Sequence, residues 1–264
     1  GIGNRGDQVL DAFLAQPDAQ IVAISDIYQP YLDFAAKKIG GTPARSTDYR
    51  TLLERDDIDA VVIGTPDHWH TLINLAAIRA GKDVYSEKPL TLTIDEGVRL
   101  VREASQSRRI LQTGSQQRSD RRFRLAIHLV QSGRIGKLRH ILSSLPSGRH
   151  GGPFPSGTAP AELNWDVWQG QAPRKDYVKE RCHGDFRYWW DYSSGTLTDW
   201  GAHHNDIALW SQGPEIRGPV GVSAQPLRDP IPGGYSFPSL YRVQYTYANG
   251  VTHTCQTVSS ESPS

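Results

Sequence analysis

Gly1, Gly3 and Gly6 open the chain in the spacing G-x-G-x-x-G, directly ahead of a stretch with helical apolar spacing, residues 7–15 (DQVLDAFLA). Glycine lets the backbone come close to a pyrophosphate, whose charge then faces the N-terminus of the following helix. Asp26 closes the next apolar run, Ile21 to Ser25, at 20 residues beyond Gly6. That is where a dinucleotide fold places the carboxylate that hydrogen-bonds the adenosine ribose. A glycine-rich structural turn is the plain alternative. A 2′-phosphate near Asp26 would meet repulsion of roughly 4 kcal/mol per charge pair at about 4 Å and an effective dielectric of about 20. No arginine follows in Ile27-Tyr28 to compensate, so NAD is expected over NADP.

A second set of residues has the chemistry to move a proton. Lys88, in SEKPL from Ser86 to Leu90, follows a short apolar strand. A lysine at the carboxyl end of a parallel strand points into the crevice where ligands bind, and its charge favours a developing alkoxide; a surface lysine at a strand end is the alternative. Asp199 and His203, in DWGAHHND, stand four residues apart on an expected helix and share a face. Histidine, with an ordinary pKa of about 6.5, suits proton uptake at neutral pH, although a hydrogen-bonded core histidine has the same pattern. His204 faces about 100° away on the same helix. Two histidines, Asp199, Asp206 and the nearby Cys182-His183 raise a metal reading. The spacing matches no zinc pattern, and no metal is expected.

These groups need elements to position them. Up to about residue 115, strand and helix alternate: a polar helix from Pro30 to Lys38, a short one from Asp48 to Arg55, a buried strand over 60–64 (AVVIG), a helix from His70 to Ala80, a strand from Asp83 to Ser86 and another from Arg109 to Thr113. Thr93 followed by Glu96 predicts a capping box and a helix to about Ser107. Such alternation implies parallel βαβ units in a doubly wound sheet. After a helix near 119–131 the chain turns aromatic and turn-rich, with a helix expected over 198–210. Tyr241–Tyr247 and Val251–Val258 flank Asn249-Gly250 as a hairpin. The second part is expected to be α+β with an open antiparallel sheet, giving domains at 1–117 and 118–264.

Composition narrows the classes. At 264 residues the chain exceeds the usual single-domain size. Its 22% charged residues nearly balance, for a net charge of +1, which gives no electrostatic reason to expect nucleic acid or an anionic membrane as partner. No apolar run is long enough for a transmembrane helix. Two cysteines are too few for a disulfide framework. The chain has no methionine and begins inside the glycine motif. The expectation is therefore an incomplete chain whose first strand precedes Gly1, and the ending SSESPS at 259–264 is expected to fall short of a complete second sheet. The compartment stays open, cytoplasmic or, with an export signal ahead of Gly1, periplasmic.

GIGNRG, GTPDHWH (Gly64 to His70), SEKPL and DWGAHHND, in that order, resemble the Gfo/Idh/MocA family of nicotinamide-dependent oxidoreductases. The stretches GSQQR (Gly114 to Arg118) and WDVW (Trp165 to Trp168) resemble bacterial members known mostly as sugar or cyclitol dehydrogenases. The resemblance implies a Rossmann-type first domain, a carbohydrate substrate and a homo-oligomer packed through the second domain's sheet. It implies that Lys88 holds the reacting hydroxyl beside the nicotinamide, that His203 is the general base and that Asp199 supports it. The cofactor set it implies is Gly1, Gly3, Asn4, Arg5, Gly6, Asp26, Thr65, Pro66, His68, His70 and Glu87; His70 has the alternative of simply beginning a helix. Gln116, Arg118, Trp189, Tyr192, His204 and Lys88 are the substrate candidates. Arg118 has the alternative of a solvated side chain, and the aromatics of core packing. The expected reaction is NAD-dependent oxidation of a secondary alcohol. Its rivals are a redox-neutral NAD-dependent glycosidase and a non-catalytic binding protein on the same fold.

Overall fold

The structure is a computed structural model that describes residues 1–258; the ending at 259–264, and the expectation attached to it, lie outside the described residues. The elements run α1 (Asn4–Leu14), β1 (Ala23–Ser25), α2 (Gln29–Ile39), β2 (Ala44–Ser46), α3 (Arg50–Leu53), β3 (Ala60–Ile63), α4 (Asp67–Arg79), β4 (Asp83–Ser86), α5 (Ile94–Ser107) and β5 (Leu111–Thr113). There follow α6 (Arg121–Gln131), β6 (His140–Pro146), α7 (Trp165–Gln169), α8 (Gly195–Thr198), α9 (Trp200–Trp210), β7 (Gly221–Arg228), β8 (Leu240–Thr246) and β9 (Thr252–Val258).

Two compact units divide the chain, and neither is one continuous stretch. The first takes Gly1–Gly114, Pro155–Phe186 and Asp191–Ser193; the second takes Ser115–Phe154, Arg187–Trp190 and Ser194 onward. In the first unit all strands pair in parallel, as β1–β2 and as β3–β4–β5. Ile2, Leu10, Ile24, Leu32, Ala35 and Ala36 pack under the first pair. Ile63, Ile73, Ala77, Ile78, Val84 and Leu100 pack under the second sheet. The expected buried strand over 60–64 is less covered than its apolar run suggests. It forms an edge of its sheet, and Val62 is 41% exposed. The capping box at α5 is present in both directions: Thr93 Oγ1 accepts from the Glu96 N–H, and the Glu96 carboxylate accepts from the Thr93 N–H.

In the second unit four strands lie in the order β6–β9–β8–β7. The expected hairpin is β8 and β9, paired antiparallel from Arg242 with Gln256 to Thr246 with Thr252, and Gly250 takes the left-handed conformation the turn requires (φ 80°). The sheet is mixed, because β6 runs parallel to β9. Neither β6 nor β7 stands out in sequence, for different physical reasons. β6 places Ser143 at a buried position, where it meets the His253 ring at 2.9 Å. β7 is an exposed edge strand interrupted at Pro226, where its register shifts. Leu145, Phe237, Tyr241, Val243 and Cys255 form the unit's core. No helix among the described residues is long and apolar enough to cross a membrane.

Candidate functional site

The glycine turn is shaped by backbone against backbone. A Cβ on Gly6 would lie 2.2 Å from the Gly1 carbonyl oxygen, and one on Gly1 would lie 2.6 Å from the Thr65 nitrogen. Gly64 closes the same contact, with its Cβ position 3.1 Å from the Gly6 Cα. Gly3 caps α1 without any side-chain hydrogen bond to the first turn, so the helix presents its N-terminal amides in the manner suited to an anion. Asp26 is fixed by two backbone amides. One carboxylate oxygen accepts from the Ile2 N–H at 2.7 Å, the other from the Tyr28 N–H at 2.9 Å. Thr65 Oγ1 is buried without a hydrogen-bond partner among the described residues. A cradle that a Cβ would fill, uncapped amides and a positioned carboxylate fit a dinucleotide.

Arg5, on the first turn of α1, donates to Glu87 at 2.9 Å, and the Glu87 side chain is only 4% exposed. The other Glu87 oxygen accepts from the Lys88 N–H at 3.3 Å. Glu87 thus ties the glycine turn to the residue that follows β4, and Lys88 is half-buried there. Asn4 is exposed at the start of α1. Pro66 precedes α4 and Asp67 begins it. His70 is 1% exposed, with one ring nitrogen 2.6 Å from the Pro89 carbonyl oxygen and the other 2.8 Å from that of Thr65. This places its ring as a strap between the loops carrying Lys88 and Thr65.

His68 is equally buried, its Nε2 2.9 Å from the Trp168 carbonyl oxygen and its ring packed against Trp168 and Tyr192. Burial pushes its pKa down to about 4. Tyr192 is 0% exposed within that aromatic group. The same packing includes a hydrogen bond from Ser193 Oγ to Asp67 at 2.5 Å. Residues 155–186 and 191–193 are therefore fastened to the beginning of α4, a tie that spacing along the chain does not reveal.

In the second unit the expected helix over 198–210 divides at Asp199. This residue ends α8 and precedes α9, with φ −80° and ψ −82°. Asp199 stands at the helix entry and His203 one turn in. The Arg187 guanidinium lies 3.4 Å from the Asp199 carboxylate, an ion pair whose only sequence signal is an arginine inside the aromatic run FRYWW. Trp200 meets both histidine rings edge-on, at 6.4 Å for His203 and 6.2 Å for His204. Burial lowers the pKa of His204. Arg118 makes a two-pronged pair with Asp206, at 2.7 and 2.8 Å, and its guanidinium lies over the Trp210 ring; Gln116 is exposed on the preceding turn. Trp189 is buried between Phe154 and Tyr235. Among the described residues no group of three or more His, Cys, Asp or Glu side chains is placed to hold a metal ion, and both cysteines are free and buried.

A family model described as an oxidoreductase family with an NAD-binding Rossmann fold matches residues 1–115. A second, described as the C-terminal alpha/beta domain of that oxidoreductase family, matches residues 150–261. A glycosyl hydrolase family 109 protein of Saccharopolyspora erythraea is 38% identical over 117 residues, which is 41% of this chain and 26% of that protein. The chain thus matches about a quarter of that relative's length. Among solved structures, myo-inositol 2-dehydrogenase from Lactobacillus plantarum superposes with a TM-score of 0.71 at 19% identity, over 98% of this chain and 68% of that one. The WlbA dehydrogenase from Bordetella pertussis, solved with NADH and UDP-GlcNAcA, gives a TM-score of 0.74 at 19% identity, over 97% of this chain and 64% of that one. At such identity the structural likeness establishes the fold.

Proposed function

The chain belongs to the Gfo/Idh/MocA family of NAD-binding oxidoreductases, and from that premise we propose that it oxidises a secondary alcohol of a sugar or cyclitol with NAD. The observation that carries the reading is the tie from the glycine turn through Arg5 and Glu87 to Lys88. It couples the cradle that takes the cofactor to a cation placed after a parallel strand, where ligands gather in such folds. When bound, NAD would supply the hydride acceptor; the protein supplies placement and electrostatics. In this assignment the hydroxyl proton passes to the His203 ring, and Lys88 holds the negative oxygen as it forms. Asp199, paired with Arg187, orients the histidine. Asp26, held on two amides, receives the adenosine ribose and favours NAD over NADP. The exposed apolar residues Val222 and Leu142 on the second unit's sheet support assembly into a homo-oligomer.

A second reading, redox-neutral cleavage of a glycoside by oxidation, elimination and re-reduction, is compatible with the likeness of part of the chain to a protein named as a glycosyl hydrolase. One experiment separates the two. The intact protein is incubated with panels of polyols and glycosides while NADH formation and aglycone release are followed together. Net NADH formation with a free polyol supports the dehydrogenase. Aglycone release without net NADH supports the glycosidase, and silence in both would overturn both readings.

A further inference from the structure

Tyr28, Tyr31 and His183 form a ring cluster beside Asp26, and the histidine comes from a segment far along the chain. Tyr28 and Tyr31 meet edge-on at 4.9 Å, and the His183 ring lies 5.2 Å from Tyr28 and 6.0 Å from Tyr31. The Tyr31 ring also lies against the glycine turn, 3.1 Å from where a Cβ on Gly3 would be. The charge of Asp26 acts on both Tyr31 and His183. The segment carrying His183 is fixed to this place: Leu163 forms an antiparallel bridge with Tyr28, and Glu162 accepts from the Gln29 N–H. His183 also takes a left-handed backbone conformation, φ 53°, uncommon outside glycine. Backbone held in such a conformation in this way points to a role for the side chain it presents.

We infer that Tyr31 and His183 form a wall beside Asp26 that accepts the 2′-hydroxyl of the cofactor's adenosine ribose and rejects a 2′-phosphate, so that cofactor choice is set partly by residues 155–186. The inference rests on dinucleotide binding at the glycine turn and is independent of which alcohol is oxidised. The Asp26 carboxylate is the hydrogen-bond acceptor for a ribose hydroxyl. A phosphate there would bring nearly two negative charges against Asp26 and aromatic edges. Burial lowers the pKa of His183 although Asp26 pulls it the other way, so its ring offers a phosphate less positive charge than a free histidine would.

The test is an equilibrium titration of the intact protein with NADH and with NADPH, freed beforehand of any copurified nucleotide and followed by tryptophan fluorescence. His183→Arg supplies a cation and should raise NADPH affinity relative to NADH by about tenfold or more, the size of one charged hydrogen bond. Tyr31→Ala should move the same ratio by about threefold by opening space. His183→Asn, a residue also suited to left-handed backbone, is the second variant and should move it by a similar amount. His128→Arg, an exposed site on α6, should leave it unchanged, and melting of the nucleotide-free protein confirms that each variant folds. A ratio within about twofold of the parent's in both His183 variants, or an equal change in His128→Arg, would overturn the wall. Failure of the parent to bind either nucleotide would remove the premise instead; neither result bears on the alcohol substrate.

Discussion

The glycine turn of the first unit and the Asp199–His203 helix entry of the second are made of opposite materials. The turn is backbone throughout: Gly1, Gly6 and Gly64 touch main chain to main chain, and even the Asp26 side chain is held by amides. The helix entry is side chain throughout, with Asp199 against Arg187, Arg118 against Asp206 and Trp200 against two histidines. The difference teaches where each is vulnerable. A turn shaped by backbone against backbone fails when a side chain is added. A site built of side chains keeps its shape when one is removed and loses only that group's chemistry.

The largest expected effect tests the second half of this contrast. His203→Ala should lower turnover about 10²–10⁴-fold, the range of a general base, with NADH affinity unchanged by titration. Loss of nucleotide binding with it would break the contrast. Next comes acid sensitivity. His68 has a pKa near 4 in the folded protein and about 6.5 when unfolded. The unfolded chain therefore binds the extra proton between those values, and stability is full above about pH 6.5 and lost as pH falls towards 4. The share is on the order of 3 kcal/mol, and His253, also pushed down to about 4 by burial, acts in the same direction. His68→Phe should flatten the fall of melting temperature across that window; an unaltered pH profile would show that His68 does not govern it.

Gly6→Ala tests the backbone half. Its Cβ would sit 2.2 Å from the Gly1 oxygen, and overpacking of this kind costs about 1–3 kcal/mol. Denaturant unfolding should show that cost together with weakened NADH binding, whereas unchanged values in both would mean that the turn yields. The smallest effect is expected of Arg118→Ala. Its pair with Asp206 is partly solvent-exposed, at 45% for the arginine and 25% for the aspartate, and exposed pairs contribute about 0.2–1 kcal/mol. A thermal shift larger than that would show that the cation over Trp210 shapes α9.

Much of the first unit was legible because its signals are local. Thr93 and Glu96 announce their helix through a three-residue spacing, and the glycines with Asp26 mark a turn and a strand end; in the second unit Asn249-Gly250 announces the hairpin in the same local way. β6 and β7 were not legible, since one buries a serine that only the distant His253 satisfies and the other lies exposed at an edge with a proline in it. The helix expected over 198–210 breaks at Asp199 although no glycine or proline stands there.

The sequence by itself determined the family, the parallel βαβ order and the residue types offered to the cofactor, because helix caps, turn glycines and apolar periods act over a few residues. Only the tertiary structure decided that residues 155–186 belong with the first unit, that His68 and His70 bond to buried carbonyls, and that His183 stands beside Tyr31. Apart from His70 to Thr65, such contacts join residues 19 to 152 positions apart. They form because burying rings and satisfying polar groups lowers the free energy of the folded chain as a whole, and local spacing carries no record of them.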